Sequence, residues 1–270
     1  MFLGDLSTAA ENFALELSTQ QLNQFDRFFQ LTLDRNQKMN LTAIVEPNDF
    51  AIKHIIDSLS LVRTDVNLEN KRVIDVGTGA GFPGIPLKIF CPSIKLTLLD
   101  SLNKRVEFLR STIEELGLED VDCIHARAEE AAHSDLRESF DIAVARAVSK
   151  FNVLTEYCLP FVSKGGSFIA FKGANVELEL VEAKAAIKIL GGKLHGTTEL
   201  TLPNGDARSI VEIEKIASTP IHFPRRPGIP ERKPLSNSLL TGERRMPKQL
   251  LEQVSLAMDV VEFVKDIAEE

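Results

Sequence analysis

The sequence predicts an α/β fold with a mainly parallel, seven-stranded sheet that ends in an antiparallel pair. From Lys71 onward, short apolar runs rich in β-forming residues alternate with segments of helical periodicity. This alternation is typical of parallel strands joined by helices that cover both faces of the sheet. Near the end of the region, Asn204-Gly205 separates two further β-rich runs, and this dipeptide is a strong signal for a hairpin turn.

The elements of this sheet can be placed along the chain. Strands are expected near residues 72–76, 94–99, 121–125, 140–145, 166–171, 194–202 and 208–216. Helices are expected near residues 84–91, 103–117, 150–162 and 176–190. The last helix has clear end signals, because Asn175 suits its N-cap and Gly191 follows its last turn.

Residues 1–70 predict a helical cap ahead of the sheet. Ser18-Thr19-Gln20-Gln21 has the S-x-x-Q form of a capping box and precedes a helical apolar pattern. A second helix is expected after Pro47, with Asn48 or Asp49 as its N-cap. Its apolar stripe consists of Ile52, Ile55, Ile56, Leu59 and Val62.

The chain changes character after the main domain, which we place at residues 71–219. Residues 222–235 contain four prolines, so we expect residues 220–235 to form an extended arm without regular structure. The basic residues of this arm are Arg225, Arg226, Arg232 and Lys233. Residues 236–270 are a C-terminal extension in which the spacing of Leu250, Val254, Met258 and Val261 predicts an amphipathic helix.

Composition limits the possible functions. The 270 residues carry a net charge of −8, which argues against nonspecific coating of nucleic acid but allows a local basic face. No apolar run approaches membrane-spanning length, and the N-terminus lacks a secretory signal, so we expect a cytoplasmic protein without membrane contact. Three scattered cysteines and the absence of metal-ligand spacing predict free thiols and no metal site.

A glycine-rich turn follows the first predicted strand. Counting from Gly77, a dinucleotide fingerprint G-x-G-x-x-G would need glycine where the chain has Phe82. The pattern present is G-x-G-x-G, which resembles motif I of the Rossmann-like methyltransferases that use S-adenosylmethionine (SAM). A glycine-rich turn without a ligand is the alternative interpretation.

Other candidate site residues follow the remaining strands, because ligands of open α/β sheets bind at the carboxyl ends of the strands. Asp100 could accept hydrogen bonds from ribose hydroxyls, or it could cap the helix expected near Asn103. Arg146 directly follows an apolar run and therefore needs a partner, either Asp141 or a bound carboxylate. Lys172 gives a weaker signal, because lysine side chains reach solvent easily.

Three further polar residues have ordinary structural explanations. Glu129 could lie in the exposed first turn of a short helix. His54 and Asp57 are three residues apart on one predicted helix, and a contact at the surface or with the cap is favoured over a catalytic pair. His125 ends a strand and is interpreted as an interior or rim residue.

Seven segments then occur in a characteristic order: Lys38–Ile44, His54–Leu59, Asp75–Gly84, Leu98–Ser101, Arg127–Glu129, Arg146-Ala147 and Phe171–Gly173. In these segments the chain resembles the bacterial small-subunit rRNA guanine-N7 methyltransferases, also called the glucose-inhibited division protein B family. The resemblance implies a class I SAM-dependent methyltransferase fold, SAM as cofactor, and 16S rRNA of the decoding region as substrate. It also implies SAM contacts at Gly77, Phe82, Ala128, Glu129 and Arg146.

The combined hypothesis is a SAM-dependent enzyme that methylates N7 of a guanine in 16S rRNA, presented in the small ribosomal subunit or in an assembly intermediate. Gly77 and Gly79 would hold the amino-acid end of SAM, Asp100 the ribose, and Ala128 with Glu129 the adenine. Arg146 and Lys172 would position the substrates, and the basic arm would contact RNA or, equally, pack against the sheet. The alternatives are an RNA-binding or assembly factor that retains SAM and, less favoured, an NAD-dependent oxidoreductase.

Overall fold

The seven strands form one sheet in a computed structural model that describes residues 2–146 and 149–236. The strands are β1 (Arg72–Val76), β2 (Lys95–Asp100), β3 (Val121–His125), β4 (Phe140–Arg146), β5 (Val162–Gly173), β6 (Gly192–Thr201) and β7 (Ala207–Lys215). They lie in the order β3-β2-β1-β4-β5-β7-β6. The first five strands pair in parallel, and β7 is antiparallel to both β5 and β6. This is the class I methyltransferase fold that the sequence predicts.

The helices of the described residues are α1 (Phe2–Asn12), α2 (Thr19–Met39), α3 (residues 47–63), α4 (Gly84–Phe90), α5 (Asn103–Leu116), α6 (Ala128–Ala131), α7 (Phe151–Cys158), α8 (Glu177–Ile189) and α9 (Ile229–Arg232), and a short 3₁₀ helix (Leu159–Phe161) follows α7. The helices predicted along the sheet are confirmed within a few residues. The sequence interpretation did not include α1, although Phe2, Leu6 and Ala9 recur at helical spacing and are buried. No helix in the described part of the chain is long and apolar enough to span a membrane.

Alternating side chains of the central strands enter two separate apolar cores. In β4, Ile142 and Val144 face the core shared with the N-terminal helices, whereas Ala143 and Ala145 face the core under α7 and α8. This division follows from the two-residue side-chain period of a strand. Both faces of the sheet are therefore covered, as the alternation of strands and helices predicts.

The cap helices are part of the first core. The capping box at Ser18 is confirmed, because its Oγ accepts from the Gln21 N–H at 3.2 Å and Gln21 Oε1 accepts from the Ser18 N–H at 2.9 Å. The rings of Phe28 and Phe50 pack against that of Phe82, with centroids 5.2 and 5.8 Å apart. The cap thus contacts the glycine-rich turn directly.

Two predicted helix N-caps are wrong. The residue before α3 is Glu46, which makes no side-chain capping bond, because Pro47 occupies the first helical position in place of Asn48 or Asp49. Val176 precedes α8, whereas Asn175 adopts a left-handed backbone with φ of 62° in the turn that leaves β5. Asparagine tolerates this conformation, so its role here is in the turn.

The arm is not an extended segment. Phe223 and Leu235 are buried in the second core, and residues Ile229–Arg232 form the short helix α9. Pro230 is compatible with this helix because it lies in the first turn, where no intrahelical N–H is required. The helix predicted within residues 236–270 lies outside the described residues, which end at 236.

The turn between α8 and β6 requires glycine at position 191, and a substitution tests this requirement. The backbone of Gly191 has φ of 81°, and a Cβ at this position would overlap the carbonyl oxygen of Ala217. We expect Gly191→Ala to lower the free energy of unfolding by at least about 2 kcal/mol, since left-handed backbone strain and steric overlap add together. Urea denaturation measures this loss. Gly196→Ala is the matched control in β6, where a Cβ would meet nothing within 4 Å, and an equal loss in both variants would contradict the explanation.

Candidate active site

A pocket opens at the carboxyl ends of β1, β2 and β3. It brings together four of the predicted cofactor residues: Gly77, Asp100, Ala128 and Glu129. The other lining residues are Val76, Leu99, Ser101, Ala126, Arg127, Tyr157 and Glu231. Glu129 lies in the first turn of a short helix, as the alternative interpretation proposed, but its side chain is buried rather than exposed.

Asp100 links the end of β2 to the glycine-rich turn. Its Oδ2 accepts from the Gly79 N–H at 3.0 Å, and its Oδ1 accepts from the Leu102 N–H at 2.9 Å. Leu102 is the residue that precedes α5, so the interpretation of Asp100 as the helix cap is wrong. Arg105 Nη1 also lies 3.5 Å from Oδ2. Because a carboxylate offers about four acceptor positions, Asp100 retains one of them for a ligand.

Gly79 leaves space above this turn. Its backbone has φ of 61°, which favours glycine. A Cβ built at Gly79 would meet no protein atom within 4 Å, so the turn itself is not crowded. A side chain there would instead extend into the space where a ligand must approach the backbone.

Asp75 supports the turn from below. The carboxylate is fully buried, and its Oδ2 accepts from Thr78 Oγ1 at 2.7 Å and from the Gly84 N–H at 2.8 Å. Burial raises the pKa of Asp75 to about 6, although these two hydrogen bonds and the charge of Arg146 act in the opposite direction. Both ends of the glycine-rich segment are thus tied to the last part of β1.

A second cluster lies between the cap and the end of β4, and it contains the other two predicted SAM contacts. The guanidinium of Arg146 lies over the Phe82 ring, 5.0 Å from its centroid. The imidazole of His54 stacks on the same ring at 4.3 Å, with an interplanar angle of 10°. Phe82 and Arg146 therefore do not line the pocket that contains Asp100, and they contact the cap instead.

The partner of Arg146 is Asp57, and the prediction of Asp141 is wrong. Asp57 Oδ2 lies 3.0 Å from Arg146 Nη1, while Asp57 Oδ1 accepts from Arg208 Nε at 2.9 Å. Asp141 instead accepts a hydrogen bond from the backbone N–H of Arg72. The buried carboxylate of the cap thus joins two guanidinium groups from β4 and β7.

The helix that carries His54 and Asp57 contains a π-helical segment, Ala51–Ile56. Wide turns of this kind displace carbonyl groups from the regular hydrogen-bond pattern and often occur at functional sites. Here the carbonyl oxygens of Lys53 and His54 accept from Arg146 Nη1 at 3.2 and 3.4 Å. Of the two contacts expected for His54 and Asp57, the one at the cap interface is confirmed, and the one at the surface is wrong because both residues are buried.

The hydrogen bonds of His54 define its tautomer. Arg146 Nη2 can only donate, so His54 Nδ1, 3.2 Å away, is the acceptor and carries no proton. The proton is therefore on Nε2, which donates to Thr42 Oγ1 at 2.7 Å. Burial, together with the adjacent Arg146 charge, lowers the pKa of His54 to about 3, so the ring is neutral near pH 7.

The remaining predicted residues lie elsewhere. Lys172 donates to Glu179 Oε2 at 2.7 Å and to the Ser149 carbonyl at 3.0 Å, so its amine supports the junction of β5 and α8. His125 is exposed and lies 3.1 Å from the Ser101 carbonyl oxygen, as expected of a rim residue. Among residues 2–146 and 149–236, no group of three or more His, Cys, Asp and Glu side chains could hold a metal ion.

Comparison with known proteins identifies the family. The family model described as rRNA small subunit methyltransferase G, GidB, matches residues 21–210. A protein of that name from Alkaliphilus metalliredigens is 49% identical over 232 residues, which cover 85% of this chain and 97% of the relative. The chain belongs to the rRNA small subunit methyltransferase G family.

A second relative and a solved structure are also similar to this chain. The methyltransferase of the same name from Brevibacillus brevis is 48% identical over 223 residues, covering 82% of this chain and 94% of the relative. A solved structure of TYW2 from M. jannaschii in complex with AdoMet is 16% identical and covers 60% of this chain and 76% of that chain, with a TM-score of 0.45.

The sequence analysis did not predict three residues that the structure places at the site. Arg208 reaches Asp57 from β7, and no local pattern marks it. Tyr157 is the only tyrosine of the chain, and it faces the pocket from α7. Glu231 lies in the arm and reaches the same pocket. Local spacing marks none of these residues, because each of them reaches the site only through the packing of distant elements.

The neutral state of His54 gives a pH-dependent prediction. Below about pH 6.5 the unfolded imidazole binds a proton that the folded state does not bind until about pH 3. The contribution of the neutral His54 ring to the free energy of unfolding is therefore complete above pH 6.5 and is lost as the pH falls. Relative to His54→Gln, the wild type should lose up to about 1.4 kcal/mol of unfolding free energy per pH unit in this range.

Chemical denaturation of both proteins at several pH values between about 4 and 7.5 measures this difference. His125→Gln, at the exposed rim, is the control and should follow the wild-type curve. Parallel curves for wild type and His54→Gln would show that His54 takes up its proton over the same pH range in the folded and unfolded states.

Proposed function

We propose that this chain transfers the methyl group of SAM to N7 of a guanine in the decoding region of 16S rRNA. The observation that carries the proposal is the Asp100–Gly79 arrangement in the pocket, directly beside the cluster of Phe82, His54 and Arg146. The first feature suits an adenosine cofactor, and the second fixes Arg146 at the end of β4, where we place the boundary between the cofactor and the RNA. The family to which the chain belongs supplies the class of reaction and the RNA substrate.

The pocket residues fit SAM. Asp100 would accept from the ribose hydroxyls, Gly77 and Gly79 would allow the amino-acid end to approach the backbone, and Ala128 with Glu129 would contact the adenine. The space above Gly79, which a Cβ would fill, supports this assignment. When bound, SAM supplies an electrophilic methyl group attached to a positively charged sulfur.

The state of His54 favours N7 over an exocyclic amine as the methyl acceptor. N7 of guanine has an available lone pair near pH 7, so no base has to remove a proton before transfer. His54 is not available as such a base, because its Nδ1 lone pair accepts from Arg146 and its pKa is lowered to about 3. In this proposal Arg146 lies at the boundary between the cofactor and the RNA, and catalysis depends on positioning.

The arm offers a basic surface for RNA phosphates. Arg226, Arg232 and Lys233 are exposed, and we assign phosphate contacts to them, with the small subunit or an assembly intermediate in the cytoplasm as the partner. Arg225 differs, because its guanidinium is bound by the buried Glu156. This contact corresponds to the alternative in which the arm packs on the domain, so Arg225 supports the surface from beneath.

Replacement of Asp100 tests the cofactor site. We expect Asp100→Ala to weaken binding of both SAM and S-adenosylhomocysteine by roughly 1.5–3 kcal/mol, the range for hydrogen bonds to a charged group. Both ligands contain the same ribose, so both affinities should fall together. Calorimetric titration measures them, with the exposed Asp122 in β3 replaced in the control Asp122→Ala. Unchanged affinity for both ligands would remove Asp100 from the site.

Methyl transfer from labelled SAM tests the substrate and the product. Purified small subunits and protein-free rRNA are compared as substrates, and the modified position is mapped by mild reduction followed by aniline cleavage, to which 7-methylguanine is sensitive. We expect transfer to one guanine. The single-turnover rate should change little between about pH 6 and 8, because no side chain must lose a proton.

Three outcomes contradict parts of this proposal. A product that resists aniline cleavage, formed at a rate that climbs steeply with pH, would exclude N7 as the acceptor. Binding of SAM without transfer to either RNA substrate would support an assembly factor instead. Absence of SAM binding would contradict the cofactor assignment itself.

A further inference from the structure

Both ends of the arm are anchored to the main domain. At its start, Arg137 donates to the carbonyl oxygens of Thr219 and Phe223 at 2.7 and 2.8 Å, and the Phe223 side chain is buried. At its end, Asn152 Nδ2 donates to the carbonyl oxygen of Leu235 at 3.3 Å, and Leu235 is buried in the second core. The path of the arm is therefore fixed at two places that are far apart in the segment.

One buried ion pair fixes the segment between these ends. Arg225 Nε and Nη2 donate to Oε1 and Oε2 of Glu156 at 2.9 and 2.6 Å, and the Arg225 backbone N–H donates to Oε1 at 2.8 Å. Glu156 lies in α7 and is fully buried. Arg225 Nη1 also donates to the Lys233 carbonyl oxygen at 2.8 Å. A guanidinium that binds both oxygens of a carboxylate has a defined orientation, so this pair determines how the two ends of residues 225–233 lie against each other.

The exposed cations of the arm lie within this segment. Arg226 follows Arg225 directly, and Lys233 carries the carbonyl group that Arg225 binds. Arg232 Nε donates to the carbonyl oxygen of Gly228 at 3.1 Å, which holds the start of the Arg232 guanidinium on the same turn. Arg226, Arg232 and Lys233 are all exposed. Their backbone positions are thus set by the Arg225–Glu156 pair in the protein without RNA.

We propose that Glu156 is a positioning residue for RNA binding, which acts through Arg225 to hold the arm as a preformed surface for RNA phosphates. This inference rests on the proposed function, in which Arg226, Arg232 and Lys233 contact the RNA. A flexible basic segment has to be ordered when it binds, and the entropy lost in that step weakens the complex. The Arg225–Glu156 pair removes this cost because the segment is already ordered.

The sign of the effect separates positioning from charge. Glu156→Gln removes a negative charge, and charge alone would then strengthen binding to a polyanion. Positioning predicts the opposite, because the amide presents a donor to the guanidinium in place of one carboxylate oxygen. We expect this variant to bind small subunits about ten-fold or more weakly. Arg225→Lys leaves the net charge unchanged but loses the planar fork, and it should weaken binding in the same direction.

The test measures binding of the full chain to purified small subunits at several salt concentrations. Each variant is made in the wild-type chain and in a chain in which Arg226, Arg232 and Lys233 are replaced by Ala. The triple replacement should weaken binding and flatten its salt dependence, because phosphate contacts are lost. In that background Glu156→Gln and Arg225→Lys should cause no further loss, since the groups that they position are absent. A general structural defect would weaken binding equally in both backgrounds.

Glu130→Gln is the matched control, because it removes the same charge from an exposed position of α6, and it should not weaken binding. Titration with S-adenosylhomocysteine checks that each variant keeps its folded pocket, and Arg225→Lys is sufficient for the test if Glu156→Gln does not fold. The inference is overturned if both variants keep the wild-type affinity for subunits, if their losses persist in the triple-Ala chain, or if the triple replacement itself has no effect. Failure of the wild type to bind or methylate small subunits would instead contradict the proposed function.

Discussion

The arrangement of the site depends on the ion pairs that the buried carboxylate of Asp57 makes. It lies between the guanidinium groups of Arg146 and Arg208, at 3.0 and 2.9 Å. Removing one member of such a buried pair typically costs about 3–5 kcal/mol, because the remaining charges lose their compensation. The contact therefore joins α3 to β4 and β7 and holds Arg146 against Phe82, where a free arginine would adopt many rotamers.

The glycine-rich turn divides the site into two parts. Its first half, at Gly77 and Gly79, borders the pocket and is held by Asp100. Its second half directs Phe82 toward the cap, where the ring packs between aromatic side chains and Arg146. Asp75 lies beneath both halves, and its pKa responds to Arg146 on one side and to Asp100 on the other. A single strand end thus positions the pocket and the cluster of Phe82, His54 and Arg146 next to each other.

The arm shows how a proline-rich segment becomes part of a site. Prolines limit the conformations of the unfolded arm, and burial of Phe223 and Leu235 with the Arg225–Glu156 ion pair fixes the folded one. The exposed basic residues of the arm then lie on the outside while Glu231 faces the pocket. In a chain with net charge −8, this gives a local basic surface beside the pocket, as the composition allowed.

The sequence by itself determined the fold class, the approximate bounds of all seven strands, the glycine-rich turn and the place of Asp100, because strand periodicity, glycine spacing and hairpin dipeptides are local signals. Only the tertiary structure decided the partner of Arg146, the neutral state of His54 and the course of the arm. Asp57 is 89 residues from Arg146 and 151 from Arg208, and Glu231 meets the pocket from beyond the last strand. Such contacts depend on how the elements pack, and a single sequence carries no local pattern that distinguishes one distant charged partner from another.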